Sequence, residues 1–151
     1  MLAKDIMTRE VLTVHPEERL DHVARLLVEQ KISGVPVVDD MQHVVGIVSE
    51  NDLMVKATDL KVPFYFTLFD STIYLENPLK FQDTIKRYTA VKVKEIMTTK
   101  VVTVDEDTEV AAIVTLMQKK DVNRLPVLRH NKLVGIITRN DILKALVRVH
   151  E

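Results

Sequence analysis

The fold is decided by KISGVPVVDDMQHVVGIVSENDLM (residues 31–54), which recurs with one residue deleted as DVNRLPVLRHNKLVGIITRNDIL (residues 121–143). Upstream of each copy stands a second matching pair, KDIMTREVLTVHP at residues 4–16 and KEIMTTKVVTVDE at residues 94–106. The shared landmarks keep the same order in both copies, which chance does not explain. The chain therefore consists of two internal repeats.

Each repeat has the pattern β-α-β-β-α. A short β-rich run comes first, and a helix follows. In the first repeat, the apolar side chains of this helix recur at helical spacing from Leu20 to Val28. Pro16 is expected in its first turn. Two continuous apolar runs predict strands buried on both faces, and a short helix closes the repeat. The predicted elements are Val11–Val14, Val35–Val38, Val44–Val48 and Glu50–Thr58 in the first repeat, and Val101–Val104, a helix stripe at Val110, Ile113, Val114 and Met117, Leu125–Leu128, Leu133–Ile137 and Arg139–Arg148 in the second.

The two repeats are too small to fold separately. Each has roughly 50 residues, too few to bury a stable core, so we expect the two copies to pack about a pseudo-twofold axis. The predicted fold class is α/β, in the α+β sense, with two β-α-β-β-α repeats. The predicted domains are repeat 1 at residues 1–58, a connector at 59–93 and repeat 2 at 94–151.

The connector contains an aromatic stretch, VPFYFTLFDSTIYLENP, at residues 62–78. Asn77 is expected to cap a helix that begins at Pro78 and runs through Tyr88. The aromatic side chains suit either of two roles: they pack over one end of the sheets, or they form a patch for a partner.

Composition excludes several classes of protein. The absence of Cys rules out disulfide scaffolds, zinc–thiolate sites and cysteine nucleophiles, and three Gly are too few for a glycine-rich phosphate loop. No apolar run reaches the ~18 residues of a membrane span, and the first residues lack a signal-peptide core, so a cytoplasmic protein without a membrane partner is expected. With 21 basic and 22 acidic side chains and no basic patch, nucleic acid is not an expected partner.

The sequence offers little that would support catalysis. The five His residues lack HxxxH or HExxH spacing and no Gly-x-Ser-x-Gly elbow is present, so neither a metal site nor a catalytic residue is predicted. The acidic clusters Glu17-Glu18 and Asp105-Glu106-Asp107 are expected to complement the dipoles of the helices that follow them. We therefore predict that the protein is not an enzyme and holds no catalytic cofactor.

The motifs of the repeat resemble those of the cystathionine-β-synthase-type (CBS) domain. They are the Ile-Met-Thr opening, the Val/Leu-Pro-Val strand, and the Gly-Ile-x-Ser/Thr-x-Asn-Asp element that ends at Asp52 and Asp141. The resemblance covers about residues 2–58 and 92–148 and makes the pair similar to a stand-alone Bateman module. It implies a regulatory protein that binds an adenosine-containing ligand (AMP, ADP, ATP or S-adenosylmethionine) between its repeats, pairs into a homodimer and signals to an unidentified effector protein.

The Ser/Thr-x-x-Asp elements, Ser49 to Asp52 and Thr138 to Asp141, suit two roles. As a capping box, each satisfies the free N–H groups of the helix that it opens. As a ligand site, each uses the same helix N-terminus to attract an anion, and the resemblance implies that Asp binds ribose and Ser/Thr binds phosphate. If capping is the only role, the protein is a structural scaffold that oligomerises through its repeats.

The resemblance also implies two clefts, each formed by the Ser/Thr-x-x-Asp element of one repeat and strand starts of the other. Apolar side chains at these positions suit an adenine ring. Arg124 is expected to make the first cleft the better anion site, because Arg binds phosphate through two hydrogen bonds, whereas the other repeat has Gly34 there. The first cleft would combine Lys100, Val102, Asn123, Arg124 and Leu125 with Ile47, Ser49 and Asp52, and the second Met7, Leu12, Ser33, Gly34 and Val35 with Ile136, Thr138 and Asp141.

Overall fold

Helices and short strands alternate along the chain, as the α/β class predicts. The computed structural model describes residues 1–59, 67–68, 71–72 and 78–148. The helices are α1 (Ala3–Ile6), α2 (Leu20–Gln30), α3 (Glu50–Asp59), α4 (Pro78–Ala90), α5 (Val110–Lys120) and α6 (Arg139–Arg148). The strands are β1 (Gly34–Val38), β2 (Val44–Ser49), β3 (Thr67–Leu68), β4 (Ser71–Thr72), β5 (Val104–Asp105), β6 (Arg124–Arg129) and β7 (Lys132–Thr138). Within the described ranges, no helix has the length and apolar content that a membrane span requires.

The chain divides into two compact units that do not coincide with the sequence repeats. Unit 1 comprises Met1–Thr13, Val38–Gly46 and Thr99–Glu151, and unit 2 comprises Val14–Val37 and Ile47–Thr98. The opening segment of each repeat therefore folds with the other repeat. The predicted domain bounds follow the repeats along the sequence and stay a prediction, as does the pseudo-twofold axis.

Unit 1 is built on a three-stranded sheet. Strand β5 pairs with β6 in parallel, and β6 pairs with β7 in an antiparallel register that sets Arg124 opposite Thr138 and Pro126 opposite Ile136. Helix α5 buries Ile113 and Met117, which confirms its predicted apolar stripe. The buried core contains Ala3, Met7, Val104, Ile113, Met117, Leu125, Val127, Ile137 and Ile142.

The N-terminal segment of repeat 1 is bonded to repeat 2 inside unit 1. The Ala3 N–H donates to the Thr108 carbonyl (2.8 Å), and Thr8 and Ile136 exchange backbone hydrogen bonds of 2.9 and 3.0 Å. The Lys4 ammonium adds an ion pair of 2.6 Å with Asp107. These bonds hold α1 and the residues after it beside β7 and α6.

Unit 2 contains the equivalent bond between repeats. Ile47 of repeat 1 and Thr98 of repeat 2 exchange backbone hydrogen bonds of 3.0 and 2.9 Å. Helix α2 buries Leu20, Val23 and Leu27, as its apolar stripe predicts. The bonded residues are equivalent in the two units, because Thr8 corresponds to Thr98 and Ile136 corresponds to Ile47 in the sequence repeat. Each unit thus joins segments of both repeats.

Pro16 does not begin a helix, contrary to our expectation. Helix α2 begins at Leu20, and a turn precedes it. The His15 N–H donates to the Glu18 carboxylate (3.1 Å), and the Lys94 N–H donates to the Pro16 carbonyl (3.0 Å). These bonds hold residues 15–18 in a turn because they use groups that a longer helix would need.

The strand predictions are correct in the second half of each repeat and wrong in the first. Val11–Val14 contributes one parallel bridge, from Val14 to Val37, and Val101–Val104 becomes the two-residue β5. Strand β1 is buried at every position after Gly34, whereas β2 alternates between buried and half-buried residues, and β7 does the same over its second half. Continuous apolarity therefore overstated the burial of these two strands.

The acidic clusters form ion pairs instead of opening helices. Asp105, Glu106 and Asp107 precede α5, whose first turn holds no acidic residue. Glu106 binds the Arg129 guanidinium, with 2.6 Å to its Nη2 atom, and Arg129 lowers the pKa of Glu106. Glu17 bonds to two ammonium groups, those of Lys92 and Lys94, which together lower its pKa to about 2. These carboxylates connect loops rather than complement helix dipoles.

The connector is described only in part. The helix expected from Pro78 through Tyr88 is confirmed as α4, which continues to Ala90 and has a buried Thr84. The Asn77 cap and most of the aromatic stretch lie outside the described residues. Both roles that we considered for the aromatic side chains stay open.

Candidate functional site

Both Ser/Thr-x-x-Asp elements form the same compact hydrogen-bonded motif. In the second repeat, the Thr138 N–H and hydroxyl both donate to Oδ2 of Asp141, over 2.7 and 2.8 Å. In the first, the Ser49 N–H and hydroxyl donate to Oδ2 of Asp52, over 2.8 and 3.0 Å. The capping role is therefore real in both copies, and it engages a single carboxylate oxygen.

The motif also prepares the carboxylate for a second partner. All the bonds described above reach Oδ2, so within the described part of the chain Oδ1 of Asp52 and Asp141 is left to accept from a ligand. Both residues are half-buried, which strengthens a hydrogen bond to a charged acceptor. An Asp in this position has the capacity to accept from ribose hydroxyls while its other oxygen caps the helix.

A pocket of about 310 Å³ opens beside Asp141 in unit 1. One wall is a single face of α6, because Asp141, Lys144, Ala145 and Arg148 recur at i, i+3, i+4 and i+7. The other wall comes from the N-terminal segment of repeat 1. Its residues are Met1, Asp5, Ile6, Met7 and Thr8. The pocket is thus lined by both sequence repeats within one unit.

The electrostatics of this pocket are mixed. The Asp5 carboxylate accepts the Leu2 N–H (2.7 Å), and the Asp141 carboxylate is bonded by Thr138. On α6, Lys144 and Arg148 are exposed and enter no ion pair or hydrogen bond with the described residues. The two carboxylates are therefore held by local donors, while the two cations are available to an anion.

Part of the second predicted cleft comes together in unit 1. Met7 and Asp141 line the same pocket, Ile136 is bonded to the neighbour of Met7, and Thr138 is bonded to Asp141. Leu12 belongs to the same unit and is 41% exposed. The remaining predicted residues, Ser33, Gly34 and Val35, belong to unit 2.

The first predicted cleft draws on residues of different units, so its assembly stays a prediction. In unit 2, the Ser33 carbonyl accepts the N–H of Glu50, next to Ser49 (2.9 Å), and in unit 1 the Asn123 carbonyl accepts the N–H of Arg139, next to Thr138 (3.2 Å). Each strand start therefore lies beside the motif of its own repeat. The predicted members in unit 1 are Lys100, Val102, Asn123, Arg124 and Leu125, and those in unit 2 are Ile47, Ser49 and Asp52.

Two of the apolar residues predicted to contact adenine have buried side chains. Leu125 is 0% and Val35 is 1% exposed, and Leu125 packs in the core of unit 1. Their side chains stabilise the units, which leaves their backbone groups as the means of contact with a ligand. The predicted contact of these two residues with an adenine ring is thereby restricted to their backbone groups, and it stays a prediction.

Sequence reasoning missed the residues that line the pocket around Met7 and Asp141. They are Met1, Asp5, Ile6, Thr8, Lys144, Ala145 and Arg148. A signal for the α6 members was present, because helical spacing places i+3, i+4 and i+7 on the face of Asp141. Nothing in the spacing showed that residues 1–8 form the opposite wall. In the described part of the chain, no group of three or more His, Cys, Asp or Glu is arranged to hold a metal ion.

The family model of the CBS domain matches residues 3–58 and 93–148. The chain belongs to the CBS domain family. An uncharacterized protein of Methanocaldococcus jannaschii is 33% identical over 97% of this chain and 92% of its own length. An inosine-5'-monophosphate dehydrogenase of the same organism is 32% identical over 94% of this chain, which spans 23% of that enzyme.

Solved structures of CBS pairs match nearly the whole chain. The CBS protein CBSX2 of Arabidopsis thaliana in complex with AMP has a TM-score of 0.76 and 27% identity, covering 99% of this chain and 98% of its own. The CBS domain pair of MJ0100, in complex with 5'-methylthioadenosine and S-adenosyl-L-methionine, has a TM-score of 0.73 and 25% identity, with coverage of 99% and 98%. The predicted α/β fold with two CBS repeats is confirmed.

Proposed function

We propose that this CBS pair is a regulatory module that binds an adenosine-containing ligand and transmits its binding state to a partner protein. The observation that carries the proposal is the pocket in which Met7 of the first repeat faces Asp141 of the second. The Asp141 carboxylate, with Oδ1 available, accepts the ribose hydroxyls. Related CBS pairs bind AMP, or 5'-methylthioadenosine and S-adenosylmethionine, which supports an adenosine ligand here.

Regulation follows from the way the pocket is built. A ligand that contacts both Asp141 and the segment around Met7 stabilises the arrangement in which repeat 1 is bonded to repeat 2. It shifts the population of that arrangement only by as much as its affinities for the alternatives differ. The output is carried by an effector protein, and no catalytic step or catalytic cofactor is part of the proposal. We also propose a cytoplasmic location for the protein.

A scaffold function is the alternative, and one observation favours it. The Asp52 and Asp141 carboxylates accept from the Ser49 and Thr138 N–H groups, as the capping role alone requires. A scaffold and a sensor have the same fold, so ligand binding is the property that separates them.

Thermal denaturation with nucleosides tests the proposal. We expect adenosine, AMP, ADP or ATP at about 1 mM to raise Tm, because a ligand present at about 100 times its Kd stabilises the native state by about 2.7 kcal/mol. For a chain of this length that corresponds to roughly 5–10 °C. Guanosine and GTP are the matched controls, and we expect them to shift Tm by less than about 2 °C. If neither the adenine compounds nor S-adenosylmethionine raises Tm, the scaffold function is correct.

We also propose that the chain forms a homodimer, with exposed apolar side chains of α6 in unit 1, or of α3 in unit 2, as the contact. On α6, Leu143, Leu146 and Val147 are 60%, 57% and 63% exposed, and their i, i+3, i+4 spacing places them on one face. Met54 and Val55 are similarly exposed on α3. A second copy that covers these side chains would remove an unfavourable apolar surface from water. Sedimentation as a monomer at about 50 μM would contradict the dimer, since obligate interfaces are populated far below that concentration.

A further inference from the structure

We infer that Lys144 and Arg148 bind the phosphate chain of a nucleoside di- or triphosphate whose ribose lies at Asp141, an inference that rests on the proposed function. Both side chains line the pocket that Asp141 lines. The site therefore distinguishes nucleotides by the number of their phosphates.

Among the residues that the structure describes, two other cations of unit 1 enter ion pairs, unlike Lys144 and Arg148. Lys4 is paired with Asp107, and Arg129 is paired with Glu106. Lys144 and Arg148 have no such partner among the described residues, although they border a concave surface. The dipole of α6 accounts for a cation at Arg148, in its last turn. It does not account for Lys144 or for the presence of both cations in one pocket wall.

The spacing along α6 favours a chain of phosphates over a single one. With a rise of 1.5 Å per residue, Lys144 lies about 4.5 Å and Arg148 about 10.5 Å beyond Asp141 along the helix axis. The α-phosphate of a nucleotide is attached to the ribose, and each further phosphate extends away from it. We place the 5' carbon of the ribose at Asp141 toward the C-terminal end of α6, because both cationic side chains of the pocket lie on that side. Successive phosphates then pass Lys144 and Arg148, where the guanidinium is able to form paired hydrogen bonds with phosphate oxygens.

This arrangement predicts an order of affinity, with ATP and ADP above AMP and adenosine. S-adenosylmethionine carries a sulfonium cation and an amino-acid group in place of the phosphates, so its single carboxylate gains less from the two basic side chains than a phosphate chain does. The preference for di- and triphosphates is expected to decrease with salt, because Lys144 and Arg148 are exposed.

Calorimetric titration of the K144A/R148A double variant tests the inference. The probes are ATP, adenosine and inorganic tripolyphosphate, and the matched control is K119A/K120A, which removes two exposed charges of α5 that lie outside the pocket lining. We expect K144A/R148A to bind ATP and tripolyphosphate roughly 10- to 30-fold more weakly than the wild type, as for partly exposed charge-assisted bonds. The affinity for adenosine is expected to stay within about twofold, and the control variant to resemble the wild type.

The outcomes separate this inference from the proposed function. The inference is overturned if the wild type and K144A/R148A bind tripolyphosphate with equal affinity. It is also overturned if the double variant loses affinity for adenosine by the same factor as for ATP. If tripolyphosphate binding depends on the two cations but adenosine does not bind, the anion site is correct and the adenosine function is wrong. Because alanine favours helix formation, we expect the double variant to keep α6. An unchanged circular dichroism spectrum would confirm that it is folded.

Discussion

Asp141→Asn is expected to weaken the binding of adenosine and its nucleotides roughly 10- to 100-fold, because hydrogen bonds to a charged acceptor contribute about 1.5–3 kcal/mol. The loss should be similar for adenosine and ATP, since ribose is common to both. Thr138 keeps an acceptor, because the amide oxygen of Asn at this third position of α6 is able to replace Oδ2 of Asp141. Calorimetric titration measures the affinity, and Tm without ligand measures the cap.

The affinity and the Tm together separate the ligand-binding role of Asp141 from its role in the helix cap. Asp121→Asn is the matched control: it removes one exposed charge at the C-cap of α5, where φ is 50° and Asn is well tolerated. Asp52→Asn makes the same change in the equivalent cap of unit 2 and reports whether a second site is occupied. If Asp141→Asn lowers Tm by several degrees and leaves adenosine affinity unchanged, Asp141 is a helix cap only.

Gly135→Ala is expected to destabilise the protein by about 1–3 kcal/mol, the usual cost of overpacking a core. A Cβ atom at this position would lie 2.8 Å from Cγ and 3.1 Å from Cβ of Met7. Met7 is only 8% exposed, so its side chain has little room to turn away. The variant should also bind adenosine more weakly, because Met7 lines the pocket. Urea denaturation measures the free energy of unfolding.

A double-mutant cycle with Met7→Ala isolates the clash. Met7→Ala alone leaves a cavity and is expected to cost about 2–4 kcal/mol. In the double variant, the methyl group added by Gly135→Ala occupies part of that cavity, so the combined loss should be about 1 kcal/mol or more below the sum of the single losses. Additive losses would show that Gly135 is not required by the contact with Met7.

Most of the fold was predictable because its signals are local. The apolar spacing of α5, the bounds of α6 and the centres of β1 and β6 depend on residues close in sequence. The errors arose where distant groups decide the structure. Pro16 is in a turn because its carbonyl accepts a hydrogen bond from Lys94. Glu17 and Glu106 of the acidic clusters form ion pairs with Lys and Arg side chains from elsewhere in the chain.

The candidate site was predictable only in part. Thr138 and Asp141 were identified because a hydroxyl and a carboxylate lie three positions apart at the start of a helix, where the local backbone brings them together. The basic side chains of the pocket were missed because an exposed Lys or Arg on a helix normally has no role. The burial of the Leu125 side chain was not predicted, because sequence does not distinguish an apolar side chain in the core from one that faces a ligand.

The sequence by itself determined that two repeats of about 50 residues must share a fold, since neither has enough apolar surface to fold alone, and it located the motif that opens α3 and α6. The family resemblance implied that Met7 lies with Asp141, but only the tertiary structure showed that each repeat exchanges its first segment with the other. Backbone bonds such as those between Thr8 and Ile136 join residues far apart in the chain, and no local pattern encodes them. That exchange places Met7 and Asp5 opposite Asp141, and it is what forms the pocket.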